Sequence, residues 1–165
     1  MKWLVIIAMT LFSAACASGN FSRAEQRLSN RVLAAIKYHD SHSLSDDDYD
    51  QISAYIAQGK THWIELYPKF KRAPFLGVAS FQEGLNIAMA YALPENPVTV
   101  LKFVDENNVG SVCGVPFIEP TQDETDHYIA KTSTALNTLT AGGYWQNRCR
   151  SALGQRPVND PFPLK

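Results

Sequence analysis

Three cysteines have the clearest chemical potential in this sequence, and they are Cys16, Cys113 and Cys149. Cys16 falls in an export segment described below, and its removal or modification leaves an even pair. Because exported thiols meet an oxidising environment, we predict a Cys113–Cys149 disulfide, which stabilises a fold by roughly 3–4 kcal/mol for a loop of this size. The alternative is a nucleophilic thiolate at Cys113 with His127 as its base, and it requires Cys113 to be free.

Two stretches are rich in side chains that can ligate metals, residues 39–50 and residues 119–127. Both have a simpler explanation. Residues 45–48 and 121–124 have the pattern of capping boxes, and acids in the first turn of a helix interact favourably with the helix dipole. The first stretch also lacks the glycine and the closing glutamate of a calcium-binding loop. We therefore predict helix N-termini, with no metal and no cofactor.

Other catalytic patterns are missing or incomplete. His62 and Glu65 form H-x-x-E without a second histidine at the spacing of zinc proteases, so we expect His62 to be exposed beside a helix cap. The sequence contains no G-x-S-x-G and no phosphate-binding glycine loop. A hydrolase using Glu83 with Glu119 or Glu124 remains a minor alternative. We predict that the protein is not an enzyme.

An aromatic and basic segment is the strongest candidate for an interaction surface. It lies around Pro68 and Pro74, and aromatic residues and arginine dominate the energetics of protein interfaces. The alternative is ordinary core packing of the aromatic rings. The residues predicted to form this surface are Trp63, Tyr67, Phe70, Arg72 and Phe75.

Charge argues against nucleic acid as a partner. The formal net charge is −1, and no stripe of lysine and arginine is present to neutralise phosphates.

The first residues resemble an export signal, which we assign to residues 1–17. Lys2 is followed by an apolar run and then by small residues that end at Ala17, the pattern of a secretory signal. Cleavage after Ala17 would release a soluble chain. The favoured alternative reads residues 12–16 as a lipobox in which Cys16 is lipidated. We therefore predict a periplasmic protein tethered to the outer membrane, with membrane contact only through that lipid.

The remaining chain has the pattern of an all-α domain over residues 18–156, followed by an extended, proline-rich tail over residues 157–165. Apolar residues recur at helical spacing, and we predict a compact bundle of about six short helices with one disulfide. Thr61 and Ser80 are expected to cap helices, and Pro68 to kink or shorten one. We predict an ordered loop for residues 112–118, with Phe117 and Ile118 covering the edge of the core.

The order "W-I … G-L-x-I-A-x-A-x-A-L-P … V-L … V-C-x-x-P-F-I-E" resembles a group of small uncharacterised exported proteins of Gram-negative bacteria. In size, export, helicity and disulfide, the chain is also similar to periplasmic immunity proteins that block type VI secreted amidases. The residues that carry the first resemblance are Trp63, Ile64, Gly84, Leu85, Ile87, Ala88, Ala90, Ala92, Leu93, Pro94, Val100, Leu101, Val112, Cys113, Pro116, Phe117, Ile118 and Glu119.

These resemblances and the absence of catalytic motifs favour a non-enzymatic envelope protein that binds another protein, most concretely as the inhibitor of a toxin. A module that binds a small ligand or peptidoglycan is the alternative, and the carboxylate hydrolase is the third hypothesis.

Overall fold

The computed structural model describes residues 21–77, 79–140 and 143–154. Over these residues all regular secondary structure is helical, so the predicted all-α fold is confirmed. The predicted signal segment with Cys16 and the predicted tail lie outside the described residues. The helices are α1 (Arg23–Tyr38), α2 (Asp46–Ala57), α3 (Thr61–Lys71), α4 (Ala79–Ala92), α5 (Pro97–Val100), α6 (Val109–Cys113), α7 (Gln122–Asn137) and α8 (Tyr144–Leu153), with a 3-10 turn at Leu101–Phe103 after α5.

Side-chain caps determine where several of these helices begin. The predicted boxes are present at α2, where Ser45 and Asp48 exchange hydrogen bonds, and at α7, where Thr121 and Glu124 do the same. Each box satisfies backbone N–H groups that have no partner within the helix. Gly59 follows α2 with a φ of 75°, the left-handed conformation that glycine adopts without steric penalty.

Two expectations about local structure are wrong, and one alternative of a third is excluded. Lys60, and not Thr61, occupies the N-cap of α3. That helix is not shortened at Pro68, since it continues to Lys71 with its apolar side buried in the core. Helix α4 already begins at Ala79, which places Ser80 inside it rather than at its cap.

The core is built around α4, which packs most extensively against α2. Leu85, Ala88, Met89 and Ala92 of α4 are all buried, and the two alanines leave room for the neighbouring backbone. Helix α1 contributes buried apolar residues to the same core. None of the described helices combines the length and the apolar character that crossing a membrane requires.

The disulfide joins α6 to α8. Cys113 and Cys149 are bonded with a Cα–Cα distance of 4.8 Å, and both are fully buried, so the predicted pairing is confirmed. The short helix α6 was not expected. It forms because Asp105 accepts hydrogen bonds from the backbone N–H groups of Asn107 and Asn108 and thereby orders the preceding turn. A loop follows Cys113, as predicted.

Candidate functional site

The aromatic and basic segment is mostly core rather than surface. Trp63 and Phe70 are fully buried, so the prediction of an interaction surface is wrong for these two residues, and Tyr67 is only 4% exposed. Their spacing along α3 places them on one helix face, and that face packs inward. Arg72 is exposed, while Phe75 is half-buried and stacks on His39 with ring centroids 4.9 Å apart.

The structure does not favour the catalytic alternatives. Because Cys113 is disulfide-bonded, it cannot serve as a nucleophile with His127. Glu83, Glu119 and Glu124 are all exposed, so the structure does not bring them together in a buried carboxylate pair. Across residues 21–77, 79–140 and 143–154, no group of three or more potential metal ligands converges.

A buried serine–histidine pair was missed by the sequence analysis. Ser29 Oγ lies 2.7 Å from His62 Nε2, a distance typical of an activated nucleophile. Ser29, however, is only 1% exposed within α1, and the His62 ring is covered edge-on by Phe21 and Trp63. A substrate has no access to the hydroxyl, so the contact is a packing interaction between α1 and α3. It also corrects the prediction of an exposed His62, which is half-buried.

Three exposed apolar side chains and the half-buried ring of Phe117 make up a surface feature that we call the apolar ridge, defined as Ile87, Tyr91, Phe117 and Ile118. Ile87 and Tyr91 are one helical turn apart on α4 and are 41% and 38% exposed. Phe117 continues the strip because its ring packs edge-on against Tyr91, with centroids 5.7 Å apart. Ile118 follows in the loop and is 88% exposed, the highest value among the exposed large hydrophobic residues.

The prediction that Ile118 covers the edge of the core is therefore wrong. The Phe117 ring turns inward, where it packs edge-on between Tyr91 and Tyr128. Ile118, the next residue, lies in a bend of the chain and is exposed to solvent. Glu119 follows with a φ of 51°, a left-handed conformation that a non-glycine residue keeps only when its surroundings impose it.

Two features fix the base of the ridge. Tyr128 donates a hydrogen bond to the carbonyl oxygen of Ala90 at 2.8 Å, and burial raises the pKa of Tyr128 to about 12, so the hydroxyl remains a neutral donor. On the N-terminal side the loop starts at Gly114, where a Cβ atom would lie 2.5 Å from the carbonyl oxygen of Gly110. The chain can therefore leave the disulfide along this path only with glycine at this position.

A second surface feature is an open groove of about 560 Å³, which we call the basic groove. Its lining includes three cationic residues, Lys71, Arg72 and Lys102, and one acid, Asp105. Tyr67 also lines the groove, so two members of the predicted interaction surface, Tyr67 and Arg72, meet here.

Hydrogen bonds join the polar residues that line the basic groove. Tyr67 donates to Asn86 Oδ1 at 2.6 Å, and Asn108 Nδ2 donates to the Tyr67 hydroxyl at 3.3 Å. Asn86 in turn donates to Ser111 Oγ at 2.9 Å. Burial raises the pKa of Tyr67, although the bond from Asn108 opposes that effect. The network connects α3, α4 and α6 beside the cationic residues of the groove.

Comparison with protein-family models, with curated proteins and with solved structures finds no match for this chain. The two surface features, the apolar ridge and the basic groove, are therefore the basis on which function can be inferred.

Proposed function

We propose that this protein is a non-enzymatic component of the cell envelope that binds another protein through the apolar ridge. The observation that supports this most strongly is the 88% exposure of Ile118 in a loop that is anchored by a disulfide and by Phe117. A large aliphatic side chain in that position gains free energy when a partner covers it.

Isolated exposed apolar residues are common and carry little information. Tyr38, Val98 and Tyr144 are such residues here, and the hydroxyl of Tyr144 is hydrogen-bonded to Glu106 at 2.6 Å. The ridge differs because Ile87 and Tyr91 are one turn apart on α4, Tyr91 contacts the Phe117 ring, and Ile118 is the next residue of the loop. Exposed apolar strips of this kind are typical of sites that bind other proteins.

The charges beside the ridge indicate what sort of partner would fit. Glu83 lies one helical turn before Ile87 on the same face of α4, and Glu119 directly follows Ile118; both acids are exposed. A partner with an apolar pocket framed by lysine or arginine would be complementary to this surface. Inhibition of a toxin, with the ridge blocking a basic cleft, is the most concrete form of the proposal.

The proposal includes the location. The apolar run after Lys2 and the small residues before Cys16 support export to the periplasm. Lipidation of Cys16 would then tether the domain to the outer membrane. The buried Cys113–Cys149 disulfide is consistent with an oxidising compartment.

Affinity capture with matched variants tests the proposal. The mature protein, tagged after Lys165, is recovered from crosslinked envelopes of its own cells as wild type, Ile118→Asp and Val98→Asp. We expect the wild type and Val98→Asp to retain the same stoichiometric partner and Ile118→Asp to lose about tenfold or more of it. Equal recovery by all three variants, or no partner above background, would overturn the proposal.

A further inference from the structure

We infer that the basic groove binds a small ligand through an oxyanion group, either a phosphate or a carboxylate. Lys71 and Arg72 reach it from the end of α3, and Lys102 reaches it from the 3-10 turn. In the part of the chain that the structure describes, none of these three cations is in an ion pair. Like charges repel when they converge without a counterion, so an anion would stabilise this arrangement.

The dipole of α3 explains only part of this charge. A cation at a helix C-terminus is stabilised by the partial negative charge there, which accounts for Lys71 and Arg72. Lys102 belongs to the 3-10 turn, 30 positions after Arg72 in the sequence. The dipole of α3 therefore gives no reason for Lys102 to lie at the same groove. The convergence of the two elements is therefore the feature that points to a ligand.

Arg72 is positioned for oxyanion binding. Its Nε donates a hydrogen bond to the carbonyl oxygen of Pro68 at 3.0 Å. The backbone N–H of Arg72 donates to the carbonyl oxygen of Phe70, so it does not compete for the Pro68 carbonyl. Among the described residues, the two terminal nitrogens of Arg72 have no hydrogen-bond partner. A guanidinium held through Nε keeps its terminal donors available for a phosphate or carboxylate.

The one acid at the groove is already engaged by the backbone. Asp105 Oδ1 accepts hydrogen bonds from Asn107 N at 2.8 Å and from Asn108 N at 3.0 Å. Asn108 is 7% exposed, and it is held from both ends, since its side chain donates to Phe103 O and accepts from Asp105 N. The lining thus carries a net positive charge, with Asp105 and Asn108 held in place by hydrogen bonds.

This site does not depend on the apolar ridge, so the two proposals can fail separately. The inference also gives the predicted alternative of small-ligand binding a definite location and ligand chemistry.

Titration calorimetry on the disulfide-bonded protein, with pyrophosphate and citrate as separate probes, tests the inference. We expect at least one probe to bind saturably with a Kd of about 1 mM or tighter, and the probe that binds distinguishes phosphate from carboxylate recognition. Lys102→Glu and Arg72→Glu should each weaken binding about tenfold or more.

Lys69→Glu is the control, because it makes the same charge change on α3 at an exposed position outside the groove. It should alter the Kd by less than about twofold. Because Arg72 also caps α3, thermal melts establish that each variant is folded, and Lys102→Glu tests the site without altering that cap. Failure of both probes to saturate by about 10 mM, or an equal loss in Lys69→Glu, would overturn the inference.

Discussion

Phe117 packs edge-on against Tyr91, and this contact joins the loop after the disulfide to α4. The two residues are 26 positions apart in the sequence, and their contact joins the loop and α4 into one surface. In the same loop, Phe117 is half-buried and Ile118 is exposed. Phe117 therefore contributes mainly to the stability of the fold and Ile118 to the proposed binding surface. Substitutions of these two neighbouring residues can separate stability from binding.

Phe117→Ala should destabilise the protein, whereas Ile118→Asp should not. Loss of the aromatic contacts of Phe117 with Tyr91 and Tyr128 is expected to lower the free energy of unfolding by about 1–2 kcal/mol. Ile118 is almost fully exposed, so its replacement should change that free energy by less than about 0.5 kcal/mol. Urea denaturation of both variants measures the difference; a similar loss in both would show that Ile118 is a core residue.

The Cys113–Cys149 disulfide should be a major source of stability. Replacing both cysteines with alanine is expected to lower the free energy of unfolding by roughly 3–4 kcal/mol, since the bond closes a loop of 36 residues. Denaturation of the double variant beside the wild type, with and without reductant, provides the measurement. Peptide mapping without reduction that finds the two cysteines unlinked would contradict the structure.

Two glycine-to-alanine substitutions should have opposite effects. Gly59 has a φ of 75°, and a Cβ there would lie 2.7 Å from the Cβ of Glu95, so Gly59→Ala should cost about 1–2 kcal/mol or more. Gly84 lies within α4, where an added Cβ would meet nothing within 4 Å beyond its chain neighbours and the backbone of its own helix, so Gly84→Ala should stabilise by about 0.5–1 kcal/mol. Thermal melts of the two variants make a matched comparison, and a destabilised Gly84→Ala would contradict the packing of α4.

His62 should make the protein less stable as the pH falls. Burial lowers the pKa of His62, with Lys69 acting in the same direction and Glu65 and Glu25 opposing it. The unfolded chain therefore binds a proton more readily than the folded one, and stability is lost as the pH falls below about 6.5.

His62→Asn removes this contribution. Its free energy of unfolding should vary less than that of the wild type between about pH 7.5 and about pH 5.5. Denaturant titrations at both pH values are sufficient, and His42→Asn, an exposed histidine, is the control. An unchanged slope in His62→Asn would show that protonation of His62 is not linked to folding.

Local patterns in the sequence predicted the features that depend on neighbouring residues. The caps at Ser45 and Thr121 and the turn at Gly59 were found in this way, since each rests on interactions within four residues. The disulfide followed from the even number of cysteines left after the export segment.

Features built from distant residues could not be found in the sequence. The contact of Ser29 with His62 spans 33 positions, and the groove brings Lys102 to α3. Trp63 and Phe70 were misassigned to the surface because local composition does not reveal which side of α3 faces the core. The inward packing of Phe117 between Tyr91 and Tyr128 is likewise a tertiary contact between residues distant in the sequence.

The most direct test of the apolar ridge is site-specific photocrosslinking in living cells. A photoreactive phenylalanine analogue is placed at position 118 in one strain and at position 98 in another, since Val98 is also exposed, at 59%, but lies outside the ridge. We predict that position 118 gives one discrete crosslinked protein species and that position 98 does not. Absence of a crosslink at position 118, or the same species from both positions, would contradict binding through the ridge.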